Sequence, residues 1–256
     1  MTSSYRITAE DGTRQYLCNG KRHPSVTTVL SATESAASKA SLKKWLAANP
    51  NNDAAYRGSH IHECCENYIR GLPVEPIEEY ADYWYGIAEW LDHFDEFYWS
   101  ERPLRPDWND LKAPDSSSLA FVWSDEYGYA GTPDLIGMIG GVSVIADFKT
   151  STAPYRTRFP EQGDRAGYGG FRKYQKVAQQ LAAYRLAMAE RTGFKCEAGL
   201  VIVSTPETSQ GIFLSAEQLD LAEMKFLKRV EAFYEQSDRY EAPRRTQPQL
   251  QEQTVS

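Results

Sequence analysis

Two apolar runs, Leu135-Ile136-Gly137-Met138-Ile139 and Val142-Ser143-Val144-Ile145-Ala146, are separated only by Gly140-Gly141. Adjacent glycines accept the positive φ angles of a two-residue hairpin turn, so the segment reads as two antiparallel strands in a fixed register. With the glycines as the turn, Ile139 faces Val142, and counting outward along both strands sets Asp134 opposite Asp147. Directly opposed side chains share a face and lie roughly 4.5–5.5 Å apart at Cβ. Period-two alternation adds Lys149 to that face and sends Ala146 and Phe148 to the other. A lone Asp-x-Lys is ordinarily a solvated pair on an exposed face. Here the surrounding strand is apolar on both faces, which favours two carboxylates and a lysine converging in one place, the set that metal-dependent phosphodiester hydrolysis requires.

The pattern around the hairpin places strands at 5–9 and 14–19 and a helix over 24–32 with Ser25 as its cap. Further helices are predicted over 40–48 and 54–70, the latter closing at Gly71. Ile61, Cys64, Cys65, Tyr68 and Ile69 recur at the spacing of a core-facing helix stripe. An aromatic stripe between Ile77 and Tyr98 predicts another helix over 77–99. A proline-rich connection over 102–114 leads to strands at 119–123, 127–132, 134–139 and 142–148. A helix over 174–191, strands at 198–204 and 211–214 and a closing helix over 216–236 complete the order. The chain of 256 residues thus reads as one mixed α+β domain over 1–241, with a central mixed β-sheet flanked by helices. Its N-terminal part, about 20–110, is expected to be helical and its core to span 115–236. Residues 242–256, rich in Gln, Arg and Pro, read as a disordered tail.

A net charge of −7 argues against a protein that coats nucleic acid over its whole surface. The charge is nonetheless segregated. Between 154 and 176 six basic residues, Arg156, Arg158, Arg165, Arg172, Lys173 and Lys176, face two acids, Glu161 and Asp164. Between 75 and 101 there are nine acids and no Lys or Arg, a surface expected to turn away from phosphate. The basic segment also carries Tyr155, Phe159, Tyr168 and Phe171. That interleaving suits single strands, whose bases stack on aromatic rings, and a glycine-containing surface loop fits the same composition equally well. Cys18, Cys64, Cys65 and Cys196 show no C-x-x-C spacing and read as buried free thiols. No apolar run is long enough to span a bilayer and the start lacks a signal-peptide hydrophobic region, so an intracellular, unsecreted protein is expected.

On the helix over 54–70, His62 and Glu66 share a face at i, i+4 while His60 points elsewhere. Gln180 and Tyr184 make a second i, i+4 pair. Together, G-x-x-x-H at 58–62 (Gly58 to His62), G-T-P-D at 131–134, D-F-K-T-S at 147–151 and Q-x-x-x-Y at 180–184 resemble the PD-(D/E)XK nuclease superfamily, in its RecB-like exonuclease branch. The resemblance covers about residues 24–235, and the stretch from Pro24 to Leu30 is similar to the start of the mitochondrial genome maintenance exonuclease and its phage relatives. It implies a restriction-endonuclease-like core and a metal-dependent DNA exonuclease acting on single-stranded ends, in the cytoplasm of a bacterial or phage-infected cell, with replication or recombination proteins as partners.

By this resemblance Asp134, Asp147 and the main-chain carbonyl of Phe148 ligate Mg²⁺ or Mn²⁺, and His62 adds a nitrogen that favours Mn²⁺. Lys149 orients the attacking water. Gln180 and Tyr184 hold the nucleic acid or the lysine, Glu66 is a further candidate, and Ser151, Arg156, Arg158, Arg165, Arg172 and Lys173 contact DNA. A structure-specific endonuclease would use the same catalytic set. A non-catalytic nucleic-acid-binding recombination accessory protein is the other alternative, against which the intact Asp134, Asp147 and Lys149 speak. Some relatives hold an iron–sulfur cluster with one upstream and three clustered downstream cysteines. Only Cys196 follows the hairpin here, so no such cluster is expected.

Overall fold

A computed structural model describes residues 5–8, 14–111, 120–241 and 243. In chain order the elements are β1 (Tyr5–Thr8), β2 (Arg14–Cys18), β3 (Lys21–Pro24), α1 (Val26–Ala32), α2 (Ala36–Ala48), α3 (Ala54–Ile69), α4 (Ala81–Leu91), β4 (Glu96–Ser100), β5 (Val122–Ser124), β6 (Tyr129–Gly131), β7 (Leu135–Ile139), β8 (Val142–Thr150), α5 (Arg165–Thr192), β9 (Ala198–Ser204), β10 (Ser209–Leu214) and α6 (Ala216–Gln236). The hairpin forms in the expected register. Gly140 and Gly141 turn at φ 56° and 79°, pairing Ile139 with Val142 and, at the far end of the ladder, Leu135 with Ala146.

The hairpin lies inside a five-stranded sheet of order β10-β9-β8-β7-β4. Every pairing is antiparallel except β8 with β9, which is parallel. A parallel pair needs a long crossover, and α5 supplies it. Both faces of the sheet are covered, which explains why β8 is apolar on both sides. Ile136, Ile145, Val201 and Val203 pack under α5 and α6 with Leu181, Ala182 and Phe226. On the opposite face Val144, Ala146, Phe148 and Ile202 meet Ile61 and Cys65 of α3 and Trp84 and Ile87 of α4. Each fully buried Val, Leu, Ile or Phe among them contributes about 1.5–3 kcal/mol. Two further sheets, three-stranded β1-β2-β3 and two-stranded β5-β6, share a small core of Tyr16, Cys18, Phe121, Trp123 and Ala130.

The expected caps are present. The Ser25 side chain accepts from the Thr28 backbone N–H at the start of α1, and Gly71 follows α3 at φ 66°.

Three expectations need correction. The helix predicted over 77–99 is a 3-10 turn (Glu78–Tyr80) and α4, after which residues 96–100 form β4. Bulky aromatics fit a pleated, half-buried strand. A β-bulge between Phe97 and Trp99 breaks the alternation by which a strand is read. Because β4 is the edge of the central sheet, the part over 20–110 is not helical throughout. The second correction concerns α5, which begins nine residues before the predicted 174, at Arg165, with the Asp164 carboxylate accepting from the Gly167 N–H at 2.7 Å. Gly167, Gly169 and Gly170 disguise this start, since glycine disfavours helix. The third is Pro24, expected to open the helix over 24–32, which instead ends β3 (Lys21–Pro24), a strand not predicted and paired with β2.

Ala9, the first residue of the strand expected over 119–123, and the tail over 242–256 apart from Pro243 lie outside the described residues. No helix among the described residues is long and apolar enough to cross a membrane.

Gly131 has a packing reason. A Cβ there would lie 2.4 Å from Cε1 of Tyr184, whose ring is buried, whereas a Cβ at Gly58 would meet nothing nearer than Thr150 Oγ1 at 4.0 Å. Gly131→Ala is therefore expected to cost about 1–3 kcal/mol in urea unfolding. Gly58→Ala should be neutral or stabilising by up to about 1 kcal/mol. Equal stability of the two variants would mean that Tyr184 is not held against β6.

Candidate metal centre and its cleft

An open cleft of about 610 Å³ lies where β8 ends. His62 and Gly58 of α3, Asp134 at the start of β7, Lys149 of β8 and Gln180 and Tyr184 of α5 line it together. Beneath it lies Asp147, 1 % exposed. One Asp147 oxygen, Oδ1, accepts from Gln180 Nε2 at 2.7 Å, and Oδ2 is ion-paired with Lys149 Nζ. Burial pushes the Asp147 carboxyl up to about 6 against the pull of the Lys149 ammonium, with Asp134 adding to the rise. Burial also works against the Lys149 charge, but Asp147 and Asp134 more than offset it and its pKa is raised. Gln180 is itself placed one helical turn from Tyr184, whose hydroxyl oxygen lies 3.5 Å from Gln180 Nε2.

Asp134 stands one residue outside the β7–β8 ladder and binds across its end, accepting the Phe148 backbone N–H at Oδ2, 3.0 Å. The Phe148 carbonyl, expected as a metal ligand, is met by His62 Nε2 at 3.1 Å. A carbonyl can only accept, so Nε2 is the donor in this contact. The His62 Nδ1 lies 3.7 Å from Asp134 Oδ1. His60 is turned away, as expected, and accepts the Ile77 N–H at 3.0 Å.

The third member of this group is Glu101. Its backbone is left-handed at φ 54°, a conformation that costs a non-glycine residue of order 1 kcal/mol or more and concentrates at functional sites. The Glu101 N–H donates to the Asp134 carbonyl at 3.2 Å. Ligand atoms of His62, Glu101 and Asp134 all lie within 4.8 Å of one another. Burial, reinforced by Asp134 and opposed by Arg14, raises the Glu101 carboxyl to about 8. One imidazole nitrogen and two carboxylates form a donor set that can hold a divalent ion. Asp147, expected as a further ligand, is not one of these three, and its oxygens face Gln180 and Lys149.

Glu101 was not singled out from the sequence, because it ends the acid-rich run read as a helix facing away from phosphate. The signal that was present is Pro103, since proline two positions on argues against a helix continuing through this point. Glu66 lines the cleft but is held by Arg102 and, at 3.2 Å, by Arg70.

The basic segment is divided. Ser151 is buried and accepts from Lys173 Nζ at 3.3 Å. Arg156 and Arg158 are exposed, and the Arg165 side chain is outside the described part. Arg172 bonds Ser38 Oγ and lies 3.7 Å from Glu34, so together with Lys176, 2.8 Å from Glu34, it ties α5 to the α1–α2 segment.

No family model matches the chain, and no curated protein matches it. Among solved structures it is similar to a protein named "putative exonuclease" from Eubacterium rectale, at 15% identity over 69% of this chain and 68% of that one, with a TM-score of 0.40. It is also similar to SSO0001, at 17% identity over 45% of this chain and 43% of that one, with a TM-score of 0.25. The match therefore spans less than half of SSO0001. Neither likeness is close enough to place the chain in a family.

A carboxyl whose folded pKa lies above its unfolded value stabilises the fold below the unfolded pKa and loses that contribution as pH rises through the folded one. For Glu101 the window runs from 4.5 to about 8. In EDTA, the Tm of the unmodified protein should fall relative to that of Glu101→Gln as pH is raised across this window. Added Mn²⁺ should restore Tm more at the upper end than at the lower. Parallel Tm profiles for the two proteins would contradict the assignment.

Proposed function

We propose that this chain is a metal-dependent nuclease with a restriction-endonuclease-like core, hydrolysing phosphodiester bonds of DNA as an exonuclease from single-stranded ends. The observation that carries this reading is the ion pair between buried Asp147 and part-exposed Lys149 beside the His62, Glu101 and Asp134 group, in one open cleft. A divalent ion held by those three residues would supply Lewis acidity and a bound water of lowered pKa. The nitrogen of His62 favours Mn²⁺ over an all-oxygen site.

The remaining chemistry belongs to the chain. Asp147 keeps Lys149 charged and fixes its direction, so that the ammonium can donate to an attacking water or to a phosphoryl oxygen as negative charge grows there. Gln180 holds Asp147, and Tyr184 holds Gln180. The phenol of Tyr184 stays protonated because burial raises its pKa well above the usual value. An ion pair that takes a carboxylate out of water is a weak source of stability, and an apolar pair of similar volume is often no worse. Its presence favours catalysis over the alternative of a non-catalytic accessory protein.

Support for single strands comes from the start of α5. Phe159 is 71 % exposed and Tyr168 46 % exposed, with ring centroids 5.9 Å apart, and Phe171 lies 5.5 Å from Phe159. Arg156 and Arg158 flank them in sequence. Exposed rings beside arginines suit unpaired bases, each stack being worth about 1–3 kcal/mol. Tyr155, also read as part of the interleaved set, belongs to the core.

Asp147→Asn and Lys149→Ala are each expected to lower Mn²⁺-dependent cleavage of an end-labelled single-stranded oligonucleotide by about a hundredfold or more, with the circular dichroism spectrum retained. Undiminished cleavage in either variant refutes the assigned centre. Circular single-stranded DNA should resist, and its efficient cutting would move the reading to an endonuclease. Phe159→Ala should raise KM for the linear substrate about tenfold. An unchanged KM would remove the stacking role.

A further inference from the structure

Strands β1 and β2 of the small N-terminal sheet deliver Arg6 and Arg14 to the wall of the cleft. Arg6 is paired opposite Tyr16 and Arg14 opposite Thr8, so alternation puts both arginines and Tyr16 on one face. Tyr16 is buried against Phe121, with ring centroids 4.9 Å apart, and its phenol reaches Thr132. Thr132 lies two residues before Asp134. This contact docks the arginine-bearing face over the centre.

Among the described residues, the cations lining the cleft are Arg6, Arg14, Arg102 and Lys149, besides His62. Lys149 is neutralised by Asp147 and Arg102 by Glu66. Arg6 and Arg14 make no direct ion pair among the described residues. They act on Glu101 only as nearby positive charges. The same cleft carries Glu63, Glu66, Glu101 and Asp134, which repel a polyanion. Two guanidinium forks at its wall, with no ion pair among the described residues, suit phosphate oxygens, which arginine binds in bidentate fashion.

We infer that Arg6 and Arg14 form a phosphate clamp that holds backbone phosphodiesters of the nucleic acid against the cleft. The inference rests on the nuclease reading for its substrate class and assigns the clamp to binding rather than chemistry. The competing role is purely internal, with the two arginines serving to neutralise Glu101.

The test is fluorescence anisotropy of a labelled single-stranded oligonucleotide in EDTA, measured against NaCl concentration. It compares the unmodified protein with Arg6→Ala, Arg14→Ala and Arg14→Lys, and repeats Arg14→Ala together with Glu101→Gln. Each alanine variant should bind about tenfold more weakly and lower the slope of log K against log salt by about one. Arg14→Lys should keep the slope, and Glu101→Gln should not rescue Arg14→Ala. With Mn²⁺ the alanine variants should raise KM more than they lower kcat.

Unchanged affinity and slope, or rescue by Glu101→Gln, would overturn the clamp. A loss confined to oligonucleotides with a 5′- or a 3′-phosphate would overturn the assignment to backbone diesters. The two readings separate cleanly. Arginine-dependent binding with no cleavage in Mn²⁺ sinks the nuclease and keeps the clamp, whereas cleavage indifferent to both arginines does the reverse.

Discussion

A carboxylate sealed from water keeps its charge only where donors replace the lost hydration, and for Asp147 these come from Lys149 on its own strand and Gln180 on α5. The need for Gln180 dictates that α5 lies across this face of the sheet at this height. Tyr184 then follows one turn later, in the space that the missing side chain of Gly131 leaves. The glycine of G-T-P-D and the tyrosine of Q-x-x-x-Y are thus two halves of one contact. A motif distributed over some fifty residues is held together by a single close approach.

Around that pair the negative charge is crowded. Burial and the neighbouring Asp134 charge raise the cost of ionising Glu101 and Asp147, and both have elevated pKa values. The crowding is uneven, since Asp147 is compensated by Lys149 while Glu101 and Asp134 face His62 with only more distant arginines near. The uncompensated members are those whose ligand atoms converge. Cation affinity at such a site is tied to proton release, because carboxylates must ionise to ligate.

Legibility in the sequence followed the strength of local signals. Two adjacent glycines and a period of two were enough to set the β7–β8 register, and through it to bring Asp134, Asp147 and Lys149 together. Strands and helices with uninterrupted patterns were equally clear, and β9 and α6 have the bounds read from the sequence. What was hidden depends on distant partners. The bulge in β4 erased its alternation, and three glycines masked the first turns of α5. The approach of Glu101 to His62 relies on a left-handed turn that no composition announces. Arg6 and Arg14 are single residues on short strands, with no pattern at all until Tyr16 is seen to dock their face.

The hydrogen bond from Gln180 to Asp147 spans 33 residues of chain, and its direction in sequence has a consequence for how the molecule is made. Chains grow from the N-terminus, so the β7–β8 hairpin is complete before any of α5 exists. A hairpin can close within about 10 μs, yet Asp147 has no amide donor until α5 folds back over it. Until then its side of β8 must stay hydrated, and β9 has no crossover from which to pair. The cleft is consequently absent from any partial chain that ends before α5, whose Gln180 and Tyr184 line it.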